Sequence, residues 1–111
     1  MAMKTKTAAS KKLLRIAQSQ LYEGDDWWSW SVWLEGPKRE LDAVEFVEYT
    51  LHSTFRDPVR TIKTRRNGFK LDTGGWGVFP IYALVFKKDR TVVHLKHQLE
   101  LTYPEGTANL K

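Results

Sequence analysis

The chain contains no cysteine, so no disulfide can staple it and no thiolate can act as nucleophile or soft metal ligand. That absence fits a reducing compartment, and a cytoplasmic protein is the expectation. No apolar run approaches the roughly 20 residues that cross a bilayer. The basic start "MAMKTKTAASKKLLRIAQSQ" lacks the apolar h-region of a secretory signal, so no membrane insertion is expected. Enzyme motifs are missing too: there is no P-loop, no G-x-G-x-x-G, no H-E-x-x-H and no nucleophile elbow. Histidine is scarce. His94 and His97 would face opposite sides of a strand and could not easily share a metal. His97, in phase with neighbouring leucines, reads as a hydrogen-bonded core histidine. His52 and Ser53 are adjacent, but no carboxylate is placed to orient a base. No catalytic residue, no metal and no cofactor is therefore expected.

What the chain does have is an aromatic load: five Trp, four Tyr and five Phe in 111 residues. Few residues can then bury much area, in one domain with one core. Net charge is +5. The excess sits in a tail, residues 1–11, expected to be flexible, and in "RTIKTRRNGFK" (residues 60–70). Such clusters can bind phosphates. Thirteen acidic residues spread along the chain argue against one continuous basic face, so nucleic acid is a minor alternative partner.

From residue 12 the pattern reads as a single all-β domain. The segment "KKLLRIAQSQLYEG" fits either a short helix or a first strand ending at Gly24. In "WWSWSVWLEGP", Trp28, Trp30, Val32 and Leu34 recur with the period of a half-buried strand, which Gly36-Pro37 ends. A bulge near Glu45–Phe46 would align Leu41, Val44, Val47, Tyr49 and Leu51 on one face. Asn67-Gly68 marks a turn. In "VFPIYALVF", Phe79, Ile81, Ala83 and Val85 are in phase, and Pro80 suggests an edge or a bulge. "KKDR" turns the chain into "TVVHLKHQLEL", with Val93, Leu95, His97, Leu99 and Leu101 on one face. Six to eight strands with regular turns point to a β-sandwich.

Two stretches stand apart. In "LHSTFRDP", Leu51 ends its strand, so Phe55 falls in a loop beside the Thr54 hydroxyl. In "GGWGVF", glycines surround Trp76 and allow sharp bends and close approach. Rings on two neighbouring loops could accept a flat, neutral amide between them, with a hydroxyl and a backbone N–H taking its polar atoms. The plainer reading is that both rings plug the end of the core.

The segments "WSVWLEGP", "VEYTLHSTF", "GWGVF" and "LKHQLEL", in this order and spacing, resemble the YEATS domain family over about residues 12–103. Composition is most similar to the prokaryotic branch. The resemblance implies an immunoglobulin-like β-sandwich of two antiparallel sheets. It also implies a non-catalytic reader of acylated lysine, acetyl or crotonyl, on a protein partner, and a nuclear location if the source is eukaryotic. Carried over to this chain, Phe55 and Trp76 would flank the acyl-amide, with Gly75 and Gly77 shaping the loop. The Thr54 hydroxyl and the Trp76 backbone N–H would hydrogen-bond the amide, and His52 would shape the floor. Trp27 and Trp28 are candidate first-loop contributors, and Gln98 a last-strand one. Stacks and hydrogen bonds of ~0.5–1.5 kcal/mol each, set against association entropy, imply micromolar binding or weaker. A charged, unmodified lysine should be rejected, since its ammonium would have to shed water. The alternative is a protein–protein adaptor of the same fold that does not read acyl-lysine.

Overall fold

The computed structural model describes residues 13–111; the basic tail expected over residues 1–11 lies outside them. Among the described residues seven strands form: β1 (Arg15–Gly24), β2 (Trp27–Glu35), β3 (Val44–Thr50), β4 (Val59–Ile62), β5 (Leu71–Gly75), β6 (Pro80–Lys87) and β7 (Val92–Gln98). They make two antiparallel sheets, ordered β1-β2-β5 and β4-β3-β6-β7. This is an immunoglobulin-like β-sandwich.

The two-residue period explains most of it. Trp28, Trp30, Val32 and Leu34 of β2 are all buried, and they face Val47, Tyr49, Ile81, Ala83 and Val85 of the other sheet. The segment left open between helix and strand is β1. Its Ile16 is buried, whereas Leu21 points to solvent at 64% exposure. Gln18 and Gln20 of β1 clasp the last segment of the chain. Gln18 accepts from the Glu100 N–H (2.9 Å) and donates to the Glu100 carbonyl (2.7 Å), while Gln20 donates to the Thr102 hydroxyl (2.7 Å). His97 joins the same clasp, 2.7 Å from Gln18 Oε1 through Nε2.

Two details differ from the sequence reading. Leu41 is not on β3: the turn after Gly36-Pro37 runs into a short helix, α1 (Lys38–Asp42), and Leu41 packs against the core from there. The register does shift between Val44 and Phe46, as the pattern of apolar residues required. Pro80 marks neither an edge nor a bulge. β6 is interior, and Pro80 is its first residue, where the missing N–H interrupts little of the ladder.

The Asn67-Gly68 turn is left-handed at both residues, with φ of 57° and 74°. A Cβ at Gly68 would stand 2.3 Å from the Leu34 carbonyl oxygen, so only glycine fits. The following Phe69 is buried, and its carbonyl accepts the Tyr49 hydroxyl at 2.9 Å. Burial raises the pKa of that phenol above the usual tyrosine value.

The basic stretch of residues 60–70 is broken up. Arg65 pairs with Asp42 (3.1 Å) and Lys70 with Asp72 (3.7 Å). No helix among the described residues is long and apolar enough to cross a membrane.

Candidate functional site

The sandwich is open at one end, where the β3–β4 and β5–β6 loops meet. Leu51 is the last buried residue after β3, and its N–H donates to the Pro58 carbonyl at 2.8 Å, closing the loop between them. Inside the loop the Phe55 N–H donates to the His52 carbonyl (3.0 Å), and Asp57 takes a positive φ of 53°. That turn swings Phe55 back over the core. Its ring is half-buried, 5.4 Å from Phe79 and 6.2 Å from Trp30 in centroid distance. Arg60, on β4, ties the loop from its far side by donating to the carbonyls of Asp57 (2.6 Å) and Arg56 (2.9 Å).

On the opposite loop, Trp76 stands 57% exposed. Its side chain is free of the core, but its backbone is pinned. The buried Asn109 donates its amide to the Trp76 carbonyl at 2.7 Å, and its own N–H donates to the Leu101 carbonyl at 2.8 Å. Gly74 explains why Trp27 can reach this end. A Cβ there would stand 2.8 Å from the Trp28 carbonyl and 3.1 Å from the Trp27 indole nitrogen. Gly75 is different: an added Cβ would meet Phe55 at 3.5 Å, an ordinary contact that would narrow the gap.

Between the loops lies a cavity of about 410 Å³. Trp27, Phe55, Trp76, Val78 and Phe79 supply its apolar wall; His52, Thr54, Arg56, Arg60, Thr73 and Lys111 supply the polar one, with Gly74, Gly75 and Gly77 between. Thr54 Oγ1 sits 2.9 Å from His52 Nδ1, and the Thr54 N–H donates to the same nitrogen at 3.2 Å. Nδ1 is therefore an acceptor, and the ring proton belongs on Nε2. Behind the cavity, the Trp30 indole N–H is the buried side-chain donor left without a partner among the described residues. It lies 3.8 Å from where a Gly75 Cβ would stand.

His52, Thr54, Phe55, Gly75, Trp76, Gly77 and Trp27 thus come together on one cavity. Trp28 does not. It is fully buried in phase with the core, and its indole donates to the Thr102 carbonyl at 2.8 Å. Gln98 does not either: it closes β7 opposite Pro80, with its amide nitrogen 3.5 Å from the Leu99 carbonyl. The sequence reading missed Arg56, Arg60, Lys111 and the anchor Asn109. The two arginines flank the Phe55 loop closely enough to have been suspected. Asn109 is far from Trp76 in sequence and gave no local signal. No group of three His, Cys, Asp or Glu able to hold a metal occurs among the described residues.

The model of the prokaryotic YEATS domain family matches residues 28–100, most of the chain. The chain belongs to that family. It is 33% identical over 70 residues to the transcription initiation factor TFIID subunit 14 of Schizosaccharomyces pombe, a match covering 59% of this chain and 28% of that protein. It is 32% identical over 78 residues to the protein AF-9 homolog of Saccharomyces cerevisiae, covering 65% and 33% respectively. These matches span about a third or less of the relatives' length. Among solved structures, the Yaf9 YEATS domain bound to H3K27ac superposes with a TM-score of 0.62 at 23% identity, covering 86% of this chain and 78% of that one. The Yaf9 YEATS domain recognizing an H3K122suc peptide superposes equally well, with a TM-score of 0.62 at 24% identity and the same coverage. At this identity the likeness shows the fold of this YEATS domain.

Proposed function

We propose that this YEATS domain is a non-catalytic module that binds acylated lysine on a protein or peptide partner, in the cleft between Phe55 and Trp76. The observation that carries this reading is the open, aromatic-walled cavity itself, with a hydroxyl at its edge. At about 410 Å³ it falls within the range of small-molecule sites, roughly 300–1,000 Å³, and it holds an acyl-amide comfortably. The Yaf9 structures with acylated peptides supply a precedent in the same fold.

The chemistry follows from the groups present. The amide of an acyl-lysine is planar and neutral, so aromatic walls can stack on it without desolvating a charge. Its oxygen would accept from the Trp76 backbone N–H, and the Thr54 hydroxyl, poised between His52 Nδ1 and the cavity, would take the other polar atom. An unmodified ammonium would lose its water without an Asp or Glu side chain to receive it, because none among the described residues lines the cavity.

An adaptor that ignores the acyl group would be favoured by a cleft filled by its own rings. The cavity is open and Trp76 is more than half exposed, which supports the reader over the adaptor. A nucleic-acid surface loses ground as well, since Arg65 and Lys70 are paired with carboxylates.

Titration with acetyl-, crotonyl- and unmodified-lysine peptides tests the proposal. Saturable binding of the acylated peptides alone is expected, abolished or strongly weakened by Phe55→Ala. Equal binding of all three, or none at millimolar peptide, would reduce the aromatic pair to a core plug.

A further inference from the structure

Two arginines, Arg56 and Arg60, line the cavity, and no Asp or Glu side chain among the described residues does. Several other cations have a carboxylate: Arg15 pairs with Glu35, Lys38 with Asp42, Arg65 with Asp42 and Lys87 with Glu40. Arg56 and Arg60 have none among the described residues. Arg60 spends its Nε and one Nη on backbone carbonyls and sits 5.9 Å over the Phe55 ring. Its guanidinium is thereby fixed beside the aromatic wall, with no carboxylate partner among the described residues. The Arg56 side chain makes no hydrogen bond or ion pair among the described residues. Lys111 approaches Gly77 through its backbone carbonyl, and its ammonium lies 4.0 Å from Asp26, so it adds no free charge to the rim.

We infer that the partner carries acidic residues, Asp or Glu, beside the modified lysine; this rests on the acyl-lysine reading above. Arg56 and Arg60 are two separate guanidiniums on the β3–β4 side. One carboxylate at the tip of an acyl group could reach one of them, whereas flanking side chains on an extended peptide can reach both. A peptide rich in Lys or Arg would instead meet like charge around the slot, with an unpaired guanidinium held in place against it.

The test compares acetyl-lysine peptides of equal length with acidic, neutral and basic flanks, each beside its unmodified counterpart, by fluorescence anisotropy. A neutral-flanked succinyl-lysine peptide is the further arm. Acidic flanks should bind about fivefold more tightly than basic ones at low salt, as expected for a few exposed ion pairs. The gap should close near 1 M salt, where the screening length falls to ~3 Å. Arg56→Gln, whose side chain supports nothing in the fold, should shrink the acidic-to-basic ratio, and Arg60→Lys should keep more of it than Arg60→Gln. Acetyl-dependent binding that ignores the flanks would overturn this inference alone. So would a succinyl peptide in neutral flanks that gains as much as the acidic flanks do, since the carboxylate would then belong to the acyl chain. Loss of acetyl dependence in every flank would sink the reader itself, and this inference with it.

Discussion

Two aromatic clusters sit in this sandwich, and they have opposite characters. In the first, Tyr22, Trp28 and Tyr103 meet at centroid distances of 4.9 to 5.5 Å. Each polar tip there is paired: Trp28 donates to the Thr102 carbonyl, Tyr103 to Asp26, and Tyr22 accepts the Asp26 N–H. In the second, Trp30, Phe55 and Phe79 meet more loosely, at 5.4 to 6.2 Å, the Trp30 N–H has no partner among the described residues, and two further tryptophans stand about half exposed around a cavity. The same side-chain chemistry closes one region and leaves the other open. A paired cluster stabilises the fold; the proposed reader function rests on the other cluster, whose unfilled contacts leave room for a ligand.

Substitutions can break that contrast. The largest effect is expected for Trp28→Ala, which should destabilise by about 3–5 kcal/mol because the residue is fully buried. Chemical denaturation would read it directly. Gly74→Ala should follow, at roughly 1–3 kcal/mol, since its Cβ would press on the Trp28 carbonyl at 2.8 Å. Gly75→Ala, one residue along, should leave the denaturation midpoint nearly unchanged and weaken acyl-peptide binding by narrowing the gap to Phe55. For Trp76→Ala the expectation is the reverse of Trp28→Ala: stability within ~0.5 kcal/mol of the parent, and binding weaker by about tenfold, the value of one lost stack. A Trp76→Ala variant that unfolds easily, or a Trp28→Ala variant of unchanged stability, would erase the distinction between the clusters.

The smallest effect concerns pH and neither cluster. Burial holds the His97 imidazole below the ordinary histidine pKa of 6.5, against a weaker opposing pull from Glu100. As pH falls, the unfolded chain takes up this proton first, so the unfolded state binds more protons. Stability should therefore be retained above about pH 6.5 and decline as pH drops towards the lower folded value. His97→Gln should flatten that slope in urea melts between about pH 7 and pH 5.

Much of this was legible in the residues. The strict alternation in β2 and β7 fixed which side chains face the core, and the same phase should have kept Trp28 out of the site: it is one strand period before Trp30, so it shares the inward face. The bulge after Val44 was readable because Val47, Tyr49 and Leu51 fall out of step with it. Leu41 misled because a helical turn and a bulged strand can place an apolar residue equally well at that spacing. The site was legible where a loop carried its own signal, as glycines did around Trp76. It was not legible where a distant segment acts. Asn109 reaches Trp76 across the fold, and no local pattern foretells a hydrogen bond between segments brought together only by tertiary packing.

The central claim is that one cluster binds and the other does not, and the five tryptophans can report on both. Their indole N–H resonances, followed by two-dimensional NMR as an acetyl-lysine peptide is added, give the most direct measurement. The account predicts that Trp27, Trp76 and the unpartnered Trp30 shift with saturation, while Trp28, bonded to Thr102, and Trp33, bonded to Glu35 on the outer face, stay in place. Shifts at Trp28 or Trp33 with Trp76 unmoved would contradict it.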